Sequence, residues 1–270
     1  GRRIEWPEII RKGNNTPVPF ATCGDMGGEN GWGAWQGAEG KYTWGMGNPS
    51  TLTFNPPAAP NAPRFNLTSG TGIDPCTPGT AAGAPSIPVV APGFGNSSLQ
   101  IGEPKGTGQT GGCSPPSAGC AEQLIYPFTV TLQDTNFLYA YAIILENPGT
   151  SHAAVDQPFV SIGIYKSNGD SIPCGYAKYV GAPNLPGFYQ STCVNAFNET
   201  ALYKPWTFVG INLSPYVGQT LTIIITNADC SQSGHYAYSY WDFTCGTFGA
   251  SAPSYCVGQS VTLSAPSDPS

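Results

Sequence analysis

Between Tyr203 and Cys245 the chain sets three short apolar runs between breakers, a pattern few folds accommodate. Tyr203-Lys204-Pro205-Trp206 leads into a strand-like run, Thr207–Leu213, and Ser214-Pro215-Tyr216-Val217-Gly218-Gln219-Thr220 then turns the chain. Leu221–Thr226 is the second run. Asp229-Cys230 and Gly234-His235 introduce the third, the aromatic ladder Tyr236–Phe243. Apolar runs bounded by Pro and Gly read as strands. The stretch holds no nucleophile elbow, phosphate loop or metal-ligand spacing. It predicts the end of an extracellular β-sandwich, and a surface module rather than an enzyme.

The composition agrees. With 270 residues there is ample chain to bury a core. Charged residues are 10% and aromatics 12%, alongside 35 Gly and 27 Pro. That aromatic content supplies the apolar surface a disordered chain lacks, so long punctuated loops on a folded sandwich are expected. The net charge is −6 with ten Lys and Arg in all, which leaves no basic patch for nucleic acid or anionic membranes. The longest apolar runs are strand-length, so no bilayer span is expected. Nine cysteines beside two histidines point to disulfides and an oxidising compartment. The start at Gly1, without Met or a signal peptide, leads us to expect an exported, mature product or a piece of one, secreted or at the cell surface.

Three regions are expected. Residues 1–22 form an arm with Ile4, Trp6, Ile9 and Ile10; residues 23–250 form the sandwich; residues 251–270 are a linker and the first strand of a second module. Within the sandwich, residues 46–121 are irregular, with short strands around Thr51–Phe54 and Ser97–Ile101 joined by loops expected over one end. Leu124, Tyr126, Phe128, Val130 and Leu132 alternate with mostly polar neighbours, as in a half-buried strand. Phe137–Leu145 is apolar on both faces, as in a central strand covered on both sides. Phe159–Tyr165 is a further strand, closed by the hairpin signal Ser167-Asn168-Gly169-Asp170.

Several side-chain groups bear chemistry. His152 and His235 form a candidate site with Glu146, Asp156 and Asp229; their structural role would be to fix loops through ring nitrogens. Asp25, Glu29 and Asp242 are candidate ligands of a structural calcium ion tying the first strand to the last, or else turn and strand-end acceptors. Trp32, Trp35 and Trp44 with Tyr236, Tyr238 and Tyr240 are candidate platforms for sugar rings, against the commoner role of core and cross-strand packing. No residue is assigned as catalytic. Pairing by proximity gives Cys113–Cys120, Cys174–Cys193 and Cys230–Cys245, with Cys23–Cys76 remaining and Cys256 left over.

The blocks Leu145-Glu146-Asn147-Pro148 … Ser151-His152 … Gln157-Pro158-Phe159 and Tyr203-Lys204-Pro205-Trp206 … Leu213-Ser214-Pro215-Tyr216 … Asp229-Cys230 … Gly234-His235-Tyr236 carry a family resemblance. The chain resembles, over roughly residues 122–245, the jelly-roll module at the front of large surface proteins of Bacteroidota. Such proteins include gliding-motility adhesins exported by the type IX route. The resemblance implies a jelly-roll β-sandwich of the galactose-binding or MAM-like kind, followed by an immunoglobulin-like repeat that would begin at Cys256. It implies adhesion or display, with a surface glycan, another surface protein or the downstream repeats as partners. A structural subunit or capping domain of a surface filament is the alternative. This chain has Asn147 where the family more often has Asp, and Ser233 where it has a second Gly. Asp170-Ser171-Ile172 resembles the O-glycosylation sequon of that group, which makes Ser171 a candidate glycan site. In a eukaryotic host the sequons at Asn14, Asn66, Asn96 and Asn198 would matter instead.

Overall fold

The computed structural model describes residues 26–77, 79, 84–102, 118–149, 151–194, 199–232 and 234–246. The predicted arm, the Cys256 module, Asp25, Cys23 and Cys113 lie outside them.

Among the described residues, twelve strands form two six-stranded antiparallel sheets. They are β1 (Gln36–Thr43), β2 (Thr51–Phe54), β3 (Phe65–Ser69), β4 (Ser97–Ile101), β5 (Ala118–Thr129) and β6 (Asn136–Glu146). The second half holds β7 (Phe159–Lys166), β8 (Ser171–Val180), β9 (Tyr189–Val194), β10 (Thr200–Asn212), β11 (Thr220–Ala228) and β12 (Ala237–Gly246). One sheet has the order β2-β1-β5-β11-β7-β8, the other β3-β4-β12-β6-β10-β9. From β5 onward the chain crosses repeatedly from sheet to sheet, the winding of a jelly-roll β-sandwich. The Pro215/Gly218 turn makes one such crossing: β10 and β11 lie in different sheets. Gly218 takes φ +81°, and its N–H donates to the Val130 carbonyl, docking the turn beside the end of β5.

Strand periodicity divides the side chains between two cores. Phe137, Tyr139, Tyr141, Ile143 and Leu145 of β6 point between the sheets with Trp241 and Phe243 of β12, and meet Leu124, Tyr126 and Phe128 of β5 and Ile223 and Ile225 of β11. The other face of β6 carries Ala142 and Ile144, buried with Tyr236, Tyr238, Tyr240 and Tyr203. Phe137–Leu145 is thus covered on both sides, as its pattern predicts. Leu132 departs from the expected alternation: it sits 71% exposed in a 3-10 turn (Leu132–Asp134) after β5 ends.

The second core exists because residues 72–77 and 84–91 lie over the outer face of the β12-containing sheet. Ala84, Ile87 and Val89 pack on the tyrosines, and the Trp206 indole N–H donates to the Pro88 carbonyl at 2.7 Å. The irregular region therefore covers a face of the sandwich, not the end expected from the sequence. Its anchor is Asp74, 1% exposed, which accepts the hydroxyls of Tyr238 and Tyr240 and the Cys76 N–H. The cover is tied to the sheet edge by a disulfide, Cys76–Cys193, with Cα atoms 5.0 Å apart.

That bridge corrects the cysteine pairing. Cys193 joins Cys76, so neither Cys174–Cys193 nor Cys23–Cys76 forms. Cys230 is a buried free thiol, so Cys230–Cys245 does not form either. Cys120, Cys174 and Cys245 are each disulfide-bonded; Cys113–Cys120 rests on a residue outside the described ones. Sequence proximity misleads here because strand order brings β9 beside the cover while β12 carries Cys245 away from Cys230. No helix among the described residues is long and apolar enough to cross a membrane.

Candidate functional site

The outer face of the β12-containing sheet is aromatic along its length but covered only in part. On β12 the tyrosines are sealed: Tyr236, Tyr238 and Tyr240 are 5%, 0% and 2% exposed. Burial and the Asp74 carboxylate together push the Tyr238 and Tyr240 hydroxyls far above the ordinary phenol range, so they serve as fixed donors. Of the tryptophans, Trp35 is buried, with its indole N–H on the Met26 carbonyl and its ring against Tyr126 and Phe243. Trp32 packs edge-on against Phe65, and Trp44 alone is exposed. The predicted platform of Trp32, Trp35, Trp44, Tyr236, Tyr238 and Tyr240 is therefore corrected. Trp35, Tyr236, Tyr238 and Tyr240 are packing residues, since a ring buried on both faces cannot stack on a sugar; Trp32 is half-buried and Trp44 open.

An open aromatic strip lies further along the same face, on β10. Phe208 is 46% exposed opposite the small Ala140 of β6, and stacks on Phe94 with ring centroids 5.7 Å apart and planes 27° apart. Trp206, half-buried, borders the strip and leans on Tyr240 at 6.3 Å. A break in register between Lys204 and Thr207 resets the strand there. Tyr189, 39% exposed and stacked on Tyr203, extends the row to the sheet edge. The sequence analysis missed Phe94, Trp206 and Phe208. Their signal was an aromatic pair two residues apart beside alanines on the neighbouring strand, and it becomes readable once the β6–β10 register is known.

Asp242 lies in the same row, opposite Ala140 on the other side. Fully buried, it accepts from the Ser98 hydroxyl at 2.8 Å and from the Phe243 N–H at 2.8 Å. Burial raises its carboxyl to about 7, an effect the Glu29 charge adds to. Glu29 accepts from the Asn96 and Ser97 N–H groups. The two acids share a neighbourhood, as the calcium expectation required. Their hydrogen bonds are structural: Asp242, within β12, joins that strand to β4, and Glu29 clamps its own segment to the start of β4.

A second polar centre lies where the loops after β6 and β11 meet. His152 and His235, far apart in sequence, come together with ring centroids 4.8 Å apart and nearly perpendicular. Between them sits the Cys230 thiol, its Sγ 3.3 Å from His235 Nδ1. His235 Nε2 lies 2.5 Å from Glu199 Oε2, and His152 Nδ1 lies 2.9 Å from the Ser151 hydroxyl. Around this centre, Asp156 accepts from the Ser50 and Ser231 hydroxyls, and Glu146 accepts the Tyr236 N–H. Of the acids grouped with the two histidines, Asp229 goes elsewhere. It bonds the Ala237 N–H, and its carboxyl is raised by burial and then by the charge of Glu122, which pairs with Arg64.

Thiol, imidazole and carboxylate in a row have the connectivity of a nucleophilic triad. The environment opposes that chemistry. Cys230 is 0% exposed, and burial pushes its thiol up to about 12, so at neutral pH it is neither a thiolate nor within reach of a substrate. Among the described residues, His152, Cys230 and His235 form the one group of this kind able to hold a metal ion, with ligand atoms all within 4.8 Å of one another.

No family model matches the chain, and no curated protein does. Among solved structures, it is similar to TmCBM61 in complex with β-1,4-galactotriose, at 6% identity, 67% coverage of this chain, 88% of that chain and a TM-score of 0.29. Another is the enzymatically active domain of tailspike protein 4 of bacteriophage CBA120, at 9% identity with 78% of this chain, 19% of that chain and a TM-score of 0.28. A third comes from carbohydrate-binding modules of the β-sandwich superfamily with promiscuous specificity, at 9% identity, 79% and 76% coverage and a TM-score of 0.25. Likeness at this level transfers no function.

Proposed function

We propose that this chain is a non-catalytic binding module of a secreted or cell-surface protein, and that it takes carbohydrate on the open aromatic strip of β10. The observation that supports this reading is the stacked Phe94–Phe208 pair, with Phe208 46% exposed on a sheet face where Tyr236, Tyr238 and Tyr240 are sealed. Phe208, carried on β10 beside the small Ala140 and braced by Phe94, offers an apolar ring to sugar C–H groups at little entropic cost. The disulfide and the further bonded cysteines suit an oxidising, extracellular setting. Adhesion or display at the front of a larger surface protein is the role into which such a module fits.

Among the acids, Asp74, Glu122, Glu146, Asp156 and Asp242 are buried, while Glu29 accepts backbone amides and Asp170 pairs with Lys166 in the β7–β8 turn. A glycosidase needs two carboxyl groups facing one glycosidic bond from solvent. A glycan array with the isolated chain, followed by titration calorimetry of the hits, tests the reading. Phe208→Ala and Trp206→Ala should each weaken binding about tenfold or more, in keeping with a loss of one stacked ring. Binding that survives both substitutions, or sugar release by the purified chain, rejects it.

A further inference from the structure

We propose that His152, Cys230 and His235 form a zinc-binding site, with Glu199 and Ser151 orienting the two imidazoles. The inference is independent of the carbohydrate reading. It rests on how the nitrogens are committed. Each ring has one nitrogen turned outward to an oxygen: His235 Nε2 to Glu199 and His152 Nδ1 to the Ser151 hydroxyl. Each then has its other nitrogen available toward the thiol. His235 Nδ1 is 3.3 Å from Sγ, and His152 Nε2 is buried without a hydrogen-bond partner. A carboxylate on the far nitrogen of a ligating histidine fixes its tautomer and raises its basicity, the usual arrangement behind a zinc ligand.

The spacing fits a small adjustment. A tetrahedral ion with Zn–N of about 2.1 Å and Zn–S of about 2.3 Å holds its donor atoms roughly 3.3–3.6 Å apart. The Cys230–His235 edge already has that length, and the widest separation in the group, within 4.8 Å, closes by a movement of about 1 Å. His152 is the ligand able to move, since it sits half-exposed in the loop between β6 and β7 and gives the ion its entry path. The neutral thiol would lose its proton to solvent as the Zn–S bond forms, which makes uptake pH-dependent. One thiolate with two imidazoles suits zinc, and three protein ligands leave a fourth position for water.

The test uses the full chain with its disulfides formed, stripped with a chelator and titrated with Zn²⁺ or Co²⁺ alone. One zinc per chain is expected, with Tm rising by about 5 °C or more at saturating metal. Co²⁺ should give the intense near-ultraviolet band of a thiolate–cobalt bond. Cys230→Ser should abolish that band and lower zinc affinity at least 100-fold, while His152→Ala, in a half-exposed loop and so safe for folding, lowers it at least tenfold. Glu199→Gln should cost about tenfold while leaving the band in place, the mark of a positioning residue. Zinc binding that is absent, or unchanged in Cys230→Ser and His152→Ala, overturns the site. A thiolate–cobalt band with no zinc-dependent rise in Tm overturns the choice of metal.

Discussion

One sheet face carries two aromatic rows that the sequence writes almost identically. On β12 and the residue just before it, Tyr236, Tyr238 and Tyr240 alternate outward and disappear under residues 72–77 and 84–91. On β10, Trp206 and Phe208 alternate outward and Phe208 stays open. Periodicity fixes which side of a strand a ring takes, but what lies over that side is decided by chain from elsewhere. Hydroxyls make the difference legible afterwards. Tyr238 and Tyr240 carry a polar tip that a buried carboxylate can satisfy, and Asp74 supplies it. Phe94 and Phe208 have no polar tip and need none at an open surface.

The contrast can be broken most forcefully by releasing the cover. Replacing both Cys76 and Cys193 by Ser removes a cross-link spanning 117 residues, which should cost about 4 kcal/mol. Denaturant unfolding measures the loss, and iodination of Tyr236, Tyr238 and Tyr240 should become fast as the two rows come to resemble each other. Asp74→Ala should cost about 3 kcal/mol, because it strands two buried hydroxyls and an amide; Asp74→Asn, which keeps an acceptor, should cost about half of that.

Asp242 gives the comparison a pH axis. Its folded-state value of about 7 lies above the unfolded one, so the native state holds a proton that the unfolded chain releases. Its contribution to stability is therefore full below about pH 4, falls as pH rises toward 7 by up to roughly 1.4 kcal/mol per unit, and is flat above. Urea midpoints between pH 4 and 8 should show that slope, and Asp242→Asn should remove it.

The next pair sets the rows directly against each other. Tyr238→Phe should cost about 1 kcal/mol of stability and leave sugar binding intact. Phe208→Ala should change stability by less than about 1 kcal/mol, as expected at a half-exposed position, and abolish most binding. Equal behaviour of the two variants in both measurements would erase the distinction. The smallest effect is expected from calcium removal. Because Asp242 and Glu29 already accept protein donors, a calcium-selective chelator in the presence of zinc should leave the melting temperature unchanged.

Much of the sandwich was readable in advance, for reasons that particular residues make plain. Thr51–Phe54 and Ser97–Ile101 are strands with the expected limits, and Asn168-Gly169 closes β7 onto β8 with Gly169 at φ +87°. Local chemistry decides such features. His152 and His235, which both lie in the blocks that carry the family resemblance, do meet, whereas Asp229 of the same group turns to the Ala237 N–H. What failed was everything set by distant chain. Cys193 has Cys174 near it in sequence, yet β8 and β9 belong to different sheets and the bridge goes to Cys76. Cys230 was assigned a partner on β12 for the same reason, and its thiol instead faces a histidine five residues on. Burial of the tyrosine ladder depended on Ala84, Ile87 and Val89, which no pattern within β12 announces.

The cover has one more effect, on what happens when many copies meet. A sheet ends in strands whose unpaired amides and carbonyls invite another chain to continue it. At β9 that invitation is answered from within: the Cys76 carbonyl takes the Thr192 N–H and the Ser191 hydroxyl. The long border strand of the other sheet, β8, is blunted by Pro173, by Cys174 at φ +58° and by Lys178. These two of the four borders resist lateral pairing with another chain. Several sandwiches of this kind on one chain would stay separate, like beads on a string, each keeping its aromatic strip open to the surroundings.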